Sequence, residues 1–106
     1  MDINNITNII IDDFLYRLYL SKKCIYGDNK MYLGFYKNYM LEILNSIIDK
    51  INVYQIIKIN TNFLNILNIC RQYIEIINTT EIIELEKYYS YLCDIGFKLK
   101  IMYNNV

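Results

Sequence analysis

Residues 82–103 read IIELEKYYSYLCDIGFKLKIMY, and this stretch decides the fold. Ile82, Leu85, Tyr89, Leu92, Gly96, Leu99 and Tyr103 recur in an unbroken alternation of threes and fours, the spacing that lines one face of an α-helix. Glu81, Glu84 and Glu86 crowd its start, where negative charge complements the helix dipole, and Lys98 and Lys100 fall near its other end. A helix over 81–103 follows. Gly96 costs about 1 kcal/mol relative to Ala inside a helix, so it marks either the close approach of a neighbouring helix or a kink.

The segments before it carry the same period. Phe63, Leu67, Cys70, Ile74 and Ile77 form a stripe bounded by Asn60-Thr61-Asn62, which offers capping residues, and by Asn78-Thr79-Thr80. Cys70 then belongs to the core as a small apolar residue, since only Arg71 stands near it as an activating cation. Residues 30–50 place Leu33, Tyr36, Met40, Ile43 and Ile47 on one helix face. Asp49-Lys50-Ile51-Asn52 interrupts that pattern, with Asn52 read as the cap of a short helix Val53–Ile59. A strand is the alternative there, because 51–59 is rich in β-branched residues. Residues 5–23 carry Ile6, Ile9, Ile10, Phe14 and Leu18, with Ile3 before them and Asp13 paired to Arg17 at i,i+4. This first helix is expected to fade near Cys24, ahead of the turn cluster Gly27-Asp28-Asn29, which permits positive φ. A hairpin of Cys24-Ile25-Tyr26 with Met31-Tyr32-Leu33 is the competing reading. No proline interrupts the helices, and the linkers are too short to divide the chain. The expected fold is all-α, a compact antiparallel bundle of four to five helices forming one domain over 1–106.

The 106 residues include 11 basic and 11 acidic side chains, which cancel. That balance argues against a basic nucleic-acid binder and against a charge-rich disordered tail. The charges are dispersed along the helices, so long-range steering is a poor route to a partner. Hydrophobic residues make up 55% of the chain, but 12 of them are tyrosine. Setting tyrosine aside and counting glycine leaves 49 of 106, an ordinary share for a globular domain. There are 22 Ile and 14 Asn against 2 Val and no Ala, Pro, His or Trp. Ala is the best helix former and Val exchanges readily with Ile in cores, so this bias points to an AT-rich genome rather than to the fold.

Lack of histidine removes the commonest general base and metal ligand together. Cys24, Cys70 and Cys93 are 46 and 23 residues apart with no C-x-x-C pair, so no metal and no cofactor is expected. An odd cysteine count and the lack of a signal-like opening point to a reduced, intracellular, cytoplasmic protein, in the host cytoplasm if viral. The sequons at Asn5 and Asn78 are then accidents of an Asn-rich chain. The window 51–70 has a single charge, Lys58, yet its seven Asn, Gln and Thr residues make a membrane span too costly. Asp12 and Asp13 are adjacent on a helix and point about 100° apart, Glu81 and Glu84 suit a helix start, and Gly27, Gly34 and Gly96 form no phosphate cradle. No enzyme is expected. A helix-turn-helix over 53–78 would have Arg71 as the one cation on its second helix, so no nucleic acid is expected either.

Tyrosine carries the remaining signal. Tyr32, Tyr36 and Tyr39 lie at i, i+4 and i+7 on one side of the second helix, Tyr16 and Tyr19 pair on the first, and Tyr88, Tyr89 and Tyr91 surround the last. Tyrosine joins a large apolar area to a water-tolerant hydroxyl and is enriched at protein interfaces. Tyr16, Tyr19, Tyr32, Tyr36, Tyr39, Tyr88 and Tyr91 are the candidate interface for a protein partner or for a second copy in a homodimer. In size, helical pattern and AT-biased composition the chain resembles small accessory proteins of large DNA viruses and phages, including helical inhibitors of host defence, although no specific motif carries that resemblance. It implies a non-enzymatic interaction module, for instance an inhibitor of a host defence protein. The alternative is a small structural or regulatory subunit of a larger assembly.

Overall fold

A computed structural model describes residues 3–27, 32–81 and 83–104, with side chains over 6–27, 32–81 and 83–102. Four α-helices follow one another: α1 (Ile3–Tyr26), α2 (Leu33–Val53), α3 (Asn62–Thr79) and α4 (Leu85–Asn104), with a 3-10 turn at Ile56–Lys58 between α2 and α3. No strand occurs among the described residues. At 1.5 Å per residue a helix the length of α1 spans roughly 36 Å, close to the longest dimension of the molecule, 39 Å.

Cross-helix contacts fix the direction of each helix. Asp13 on α1 meets Lys50 late in α2, while Tyr36 early in α2 lies among Ser21 and Cys24 late in α1. These two helices are therefore antiparallel. Tyr73 late in α3 touches Asp94 and Tyr91 in α4, and Asn65 and Ile66 share a hollow with Ile101 and Met102, so α3 and α4 are antiparallel as well. Leu18 faces Gly96 and Tyr26 faces Tyr89, which closes the ring with α4 against α1. The result is an up-down-up-down four-helix bundle. One apolar core runs through it, with Ile10, Ile11 and Phe14 from α1, Met40, Ile43 and Leu44 from α2, Phe63, Ile66 and Cys70 from α3, and Leu92, Ile95 and Leu99 from α4.

Several boundaries depart from the sequence reading for identifiable reasons. Cys24–Tyr26 form the last turn of α1 and Leu33 opens α2, which overturns the hairpin; Asp28–Met31, the rest of that turn, lie outside the described residues. Buried Ile25 extends the inward stripe of α1 past Cys24. Gly27 serves the turn by lacking a side chain, because a Cβ there would lie 2.4 Å from the Lys23 carbonyl oxygen. Its φ is not positive. Asn52 caps nothing. It lies inside α2, and its carbonyl accepts from the Gln55 N–H at 3.2 Å. Gln55 then takes a left-handed conformation, φ 52°, and turns the chain so that Ile56 enters the core. Core burial at Ile51 and Ile56 is better served by this helix-turn geometry than by the strand their branching would favour. The N-cap of α3 is Thr61, which makes no side-chain cap hydrogen bond; Asn60 Oδ1 instead accepts from the Asn62 N–H at 3.1 Å in a local turn just ahead of the helix.

The last helix begins later than expected, at Leu85, so Glu86 alone of the three glutamates lies in its first turn. Its inward line is Tyr88, Leu92, Ile95 and Leu99, rotated from the stripe read in the sequence. Leu85, Tyr89 and Gly96 flank that line on the side of α1. Ile82 lies outside the described residues.

Candidate interaction face

The seven candidate tyrosines separate by burial. Tyr36 and Tyr88 are core residues, 0% and 2% exposed, with ring centroids 6.2 Å apart across α2 and α4. Neither can line a surface, because the large apolar ring at each position points between helices, where removing it from water is most favourable. The Tyr36 hydroxyl, beside Ser21, finds no partner at hydrogen-bonding geometry. Ser21 donates instead to the Leu18 carbonyl at 3.1 Å. Burial pushes the Tyr36 phenol far above its ordinary value. Tyr39 and Tyr91 are half-buried. Tyr91 stacks on Tyr73 with centroids 4.6 Å apart, and Tyr73 donates to Asp94 at 2.6 Å.

Tyr16, Tyr19 and Tyr32 remain exposed, at 61%, 55% and 80%. Tyr32 stands apart from the other two at the entry of α2, beside Phe35. Tyr16 and Tyr19 lie on the outer face of α1, and the structure adds two neighbours along that face, Ile9 and Tyr26. Ile9 was grouped with the inward stripe on its spacing, yet it is 54% exposed while Ile11 is fully buried. Asp12 and Lys23 complete the outer row. The row therefore runs Ile9, Asp12, Tyr16, Tyr19, Lys23, Tyr26 at spacings of three and four. This second stripe was present in the sequence, but the more apolar inward stripe masked it. Lys23 sits 4.8 Å from the centre of the Tyr19 ring, and Tyr26 meets Tyr89 edge-on at 5.9 Å. Tyr19, Lys22, Lys23, Tyr26 and Gly27 border an open hollow of about 240 Å³.

Away from this face, Asp13 and Asp94 tie side chains together. Asp13 accepts from Arg17 at 2.9 Å and from Lys50 at 2.5 Å. Burial alone would raise its pKa, but the two cations outweigh burial and hold the carboxyl below its usual range. Asp94 is likewise held low, chiefly by Lys98 at 2.8 Å and then by Tyr73. Both carboxylates stay ionised as clasps between side chains. Burial raises the Cys70 thiol to about 12, which suppresses the nucleophilic thiolate. Among the described residues, no three Cys, Asp or Glu side chains converge as a metal set, and no helix is long and apolar enough to cross a membrane.

No family model, curated protein or solved structure matches this chain.

Proposed function

We propose that the protein is a non-enzymatic helical module that works by protein–protein contact through the outer face of α1. The observation that carries this reading is the exposure of Ile9, Tyr16, Tyr19 and Tyr26 in one row on a helix whose opposite side is fully committed to the core. Aromatic side chains half out of water along a rigid helix offer contact area with little rotamer entropy left to lose. The carboxylates with lowered pKa are bound in ion pairs, and the thiol of Cys70 is inside the core, so the chemistry of the side chains favours holding over reacting.

The test compares the native chain with a Tyr16→Ser/Tyr19→Ser variant, both shown folded by circular dichroism, as baits in extracts of the native cell. The reading predicts a discrete set of proteins retained by the native chain and lost with the variant. Host defence proteins in that set would mark an inhibitor; products of the same genome as the chain would mark a subunit of a larger assembly. Identical retention by both baits would refute a role for this face.

A further inference from the structure

We infer that the occupant of the α1 face is a second copy of the same chain, packed antiparallel about a twofold axis midway between Tyr16 and Tyr19. This rests on the reading of α1 as the interaction face and names its partner. The row has the period of a coiled-coil seam, with Ile9, Tyr16 and Lys23 in one set of heptad positions and Asp12, Tyr19 and Tyr26 in the other. When two such seams meet antiparallel, each residue of one set faces a residue of the other set. Here that pairing sets Ile9 against Tyr26, Asp12 against Lys23 and Tyr16 against Tyr19, and symmetry repeats each layer on the other side of the axis.

The chemistry of the row is therefore complementary to itself when reversed. Each charged layer joins opposite signs, and the remaining layers join apolar or aromatic groups. A parallel pairing would set Asp12 against Asp12 and Lys23 against Lys23, two layers of like charge, which is the arrangement that sets partner orientation by repulsion. An isologous contact of this kind closes at two copies. The hollow bordered by Tyr19, Lys22, Lys23 and Tyr26 lies at the end of the row where Ile9 of the second copy arrives.

The available area matches a reversible dimer. Taking about 200 Å² for a whole tyrosine, the exposed fractions of Tyr16, Tyr19 and Tyr26 amount to roughly 350 Å² per copy. Ile9, Asp12 and Lys23 bring the pair near about 1,000 Å², the lower bound for a specific interface. A contact near that lower bound belongs with weak, reversible associations.

Sedimentation velocity on the full chain from about 1 to 500 µM tests this, a span in which weak, reversible self-association is read. The expected result is a shift from the 12.8 kDa chain to a species of twice that mass. Asp12→Lys or Lys23→Glu alone is expected to weaken the dimer about tenfold by placing like charges in two layers, and the double variant, which restores opposite signs, to recover it. Both positions are exposed, so the monomer fold is preserved, as circular dichroism would verify. A chain that stays monomeric throughout overturns the inference, as does a dimer indifferent to the charge exchange. If the chain is monomeric while the tyrosine variant still loses a protein partner, the self-pairing falls and the proposed function stands. If the chain is monomeric and the variant changes nothing, both fall.

Discussion

Gly96→Ala probes the contact that closes the bundle. A Cβ at this position would lie 2.7 Å from Leu18 Cδ2, with Leu15 Cδ2 at 3.6 Å and Phe14 Cε1 at 3.8 Å. The last two distances are ordinary contacts; the first forces a methyl group to retreat. Substitution therefore has two opposed effects. It contributes about 1 kcal/mol through helix propensity, and it costs about 1–3 kcal/mol through overpacking. Leu18 is half-buried and its end can swing, so a cost near the middle of that range leaves a net loss of about 1 kcal/mol. For a chain of this size that is a fall in Tm of about 4–8 °C. The decisive measurement repeats the substitution in a Leu18→Ala background, with thermal and urea unfolding followed by circular dichroism. With the opposing methyl removed, Gly96→Ala should stabilise that background by about 1 kcal/mol. If Gly96→Ala stabilised both backgrounds equally, the close approach of α1 and α4 would be refuted.

Three further outcomes are expected. Tyr36→Phe deletes a buried hydroxyl that has no partner, so it should leave stability unchanged or raise it by up to about 1 kcal/mol; a loss above 1 kcal/mol in urea unfolding would show a hydrogen bond to Ser21. Asp13 and Asp94 have folded pKa values below their usual 3.8, so the stability they contribute is present well above that unfolded value and is lost as pH falls through the folded values. Because both are about one-third exposed, the combined change should be about 1 kcal/mol, and Asp13→Asn/Asp94→Asn should flatten the fall of the unfolding midpoint below about pH 5. Cys70, buried with its thiol raised to about 12, should resist iodoacetamide at neutral pH in the native chain and react fully in urea, as peptide mapping would record.

The helices were legible because each buries a stripe long enough to show its period, and Phe63, Leu67, Cys70 and Ile77 occupy the core as their spacing implied. Gly96 was legible in part, since a costly glycine inside a strong helix pattern left a close neighbour or a kink open, and Leu18 is the close neighbour. What remained hidden depends on rotation and on tertiary burial. Tyr36 and Tyr32 are one helical turn apart with similar local sequence, yet one is wholly buried and the other 80% exposed, because α4 covers the first and nothing among the described residues covers the second. Ile9, read into the inward stripe of α1, is exposed in the same way, while Ile11 is buried. Runs of consecutive isoleucine blur a helical period, since every rotation of the stripe finds an apolar residue. The turn at Gln55 was equally hidden, as no local signal marks a glutamine for a left-handed conformation.

The pairing of α1 with α4 also bears on how fast and in what order the molecule assembles. Tyr73 and Asp94 join α3 to α4 across 21 residues, whereas Leu18 and Gly96 meet across roughly 80, and a loop about four times longer costs about 1.2 kcal/mol more to close. Docking of α1 onto α4 should therefore come after α2, α3 and α4 have found one another. Interactions formed after the folding barrier govern escape from the native state more than entry into it. Substitutions at Leu18 or Gly96 would then shorten the lifetime of the folded chain while leaving its folding rate nearly unchanged, so that the small glycine in α4 acts as a latch on kinetic persistence.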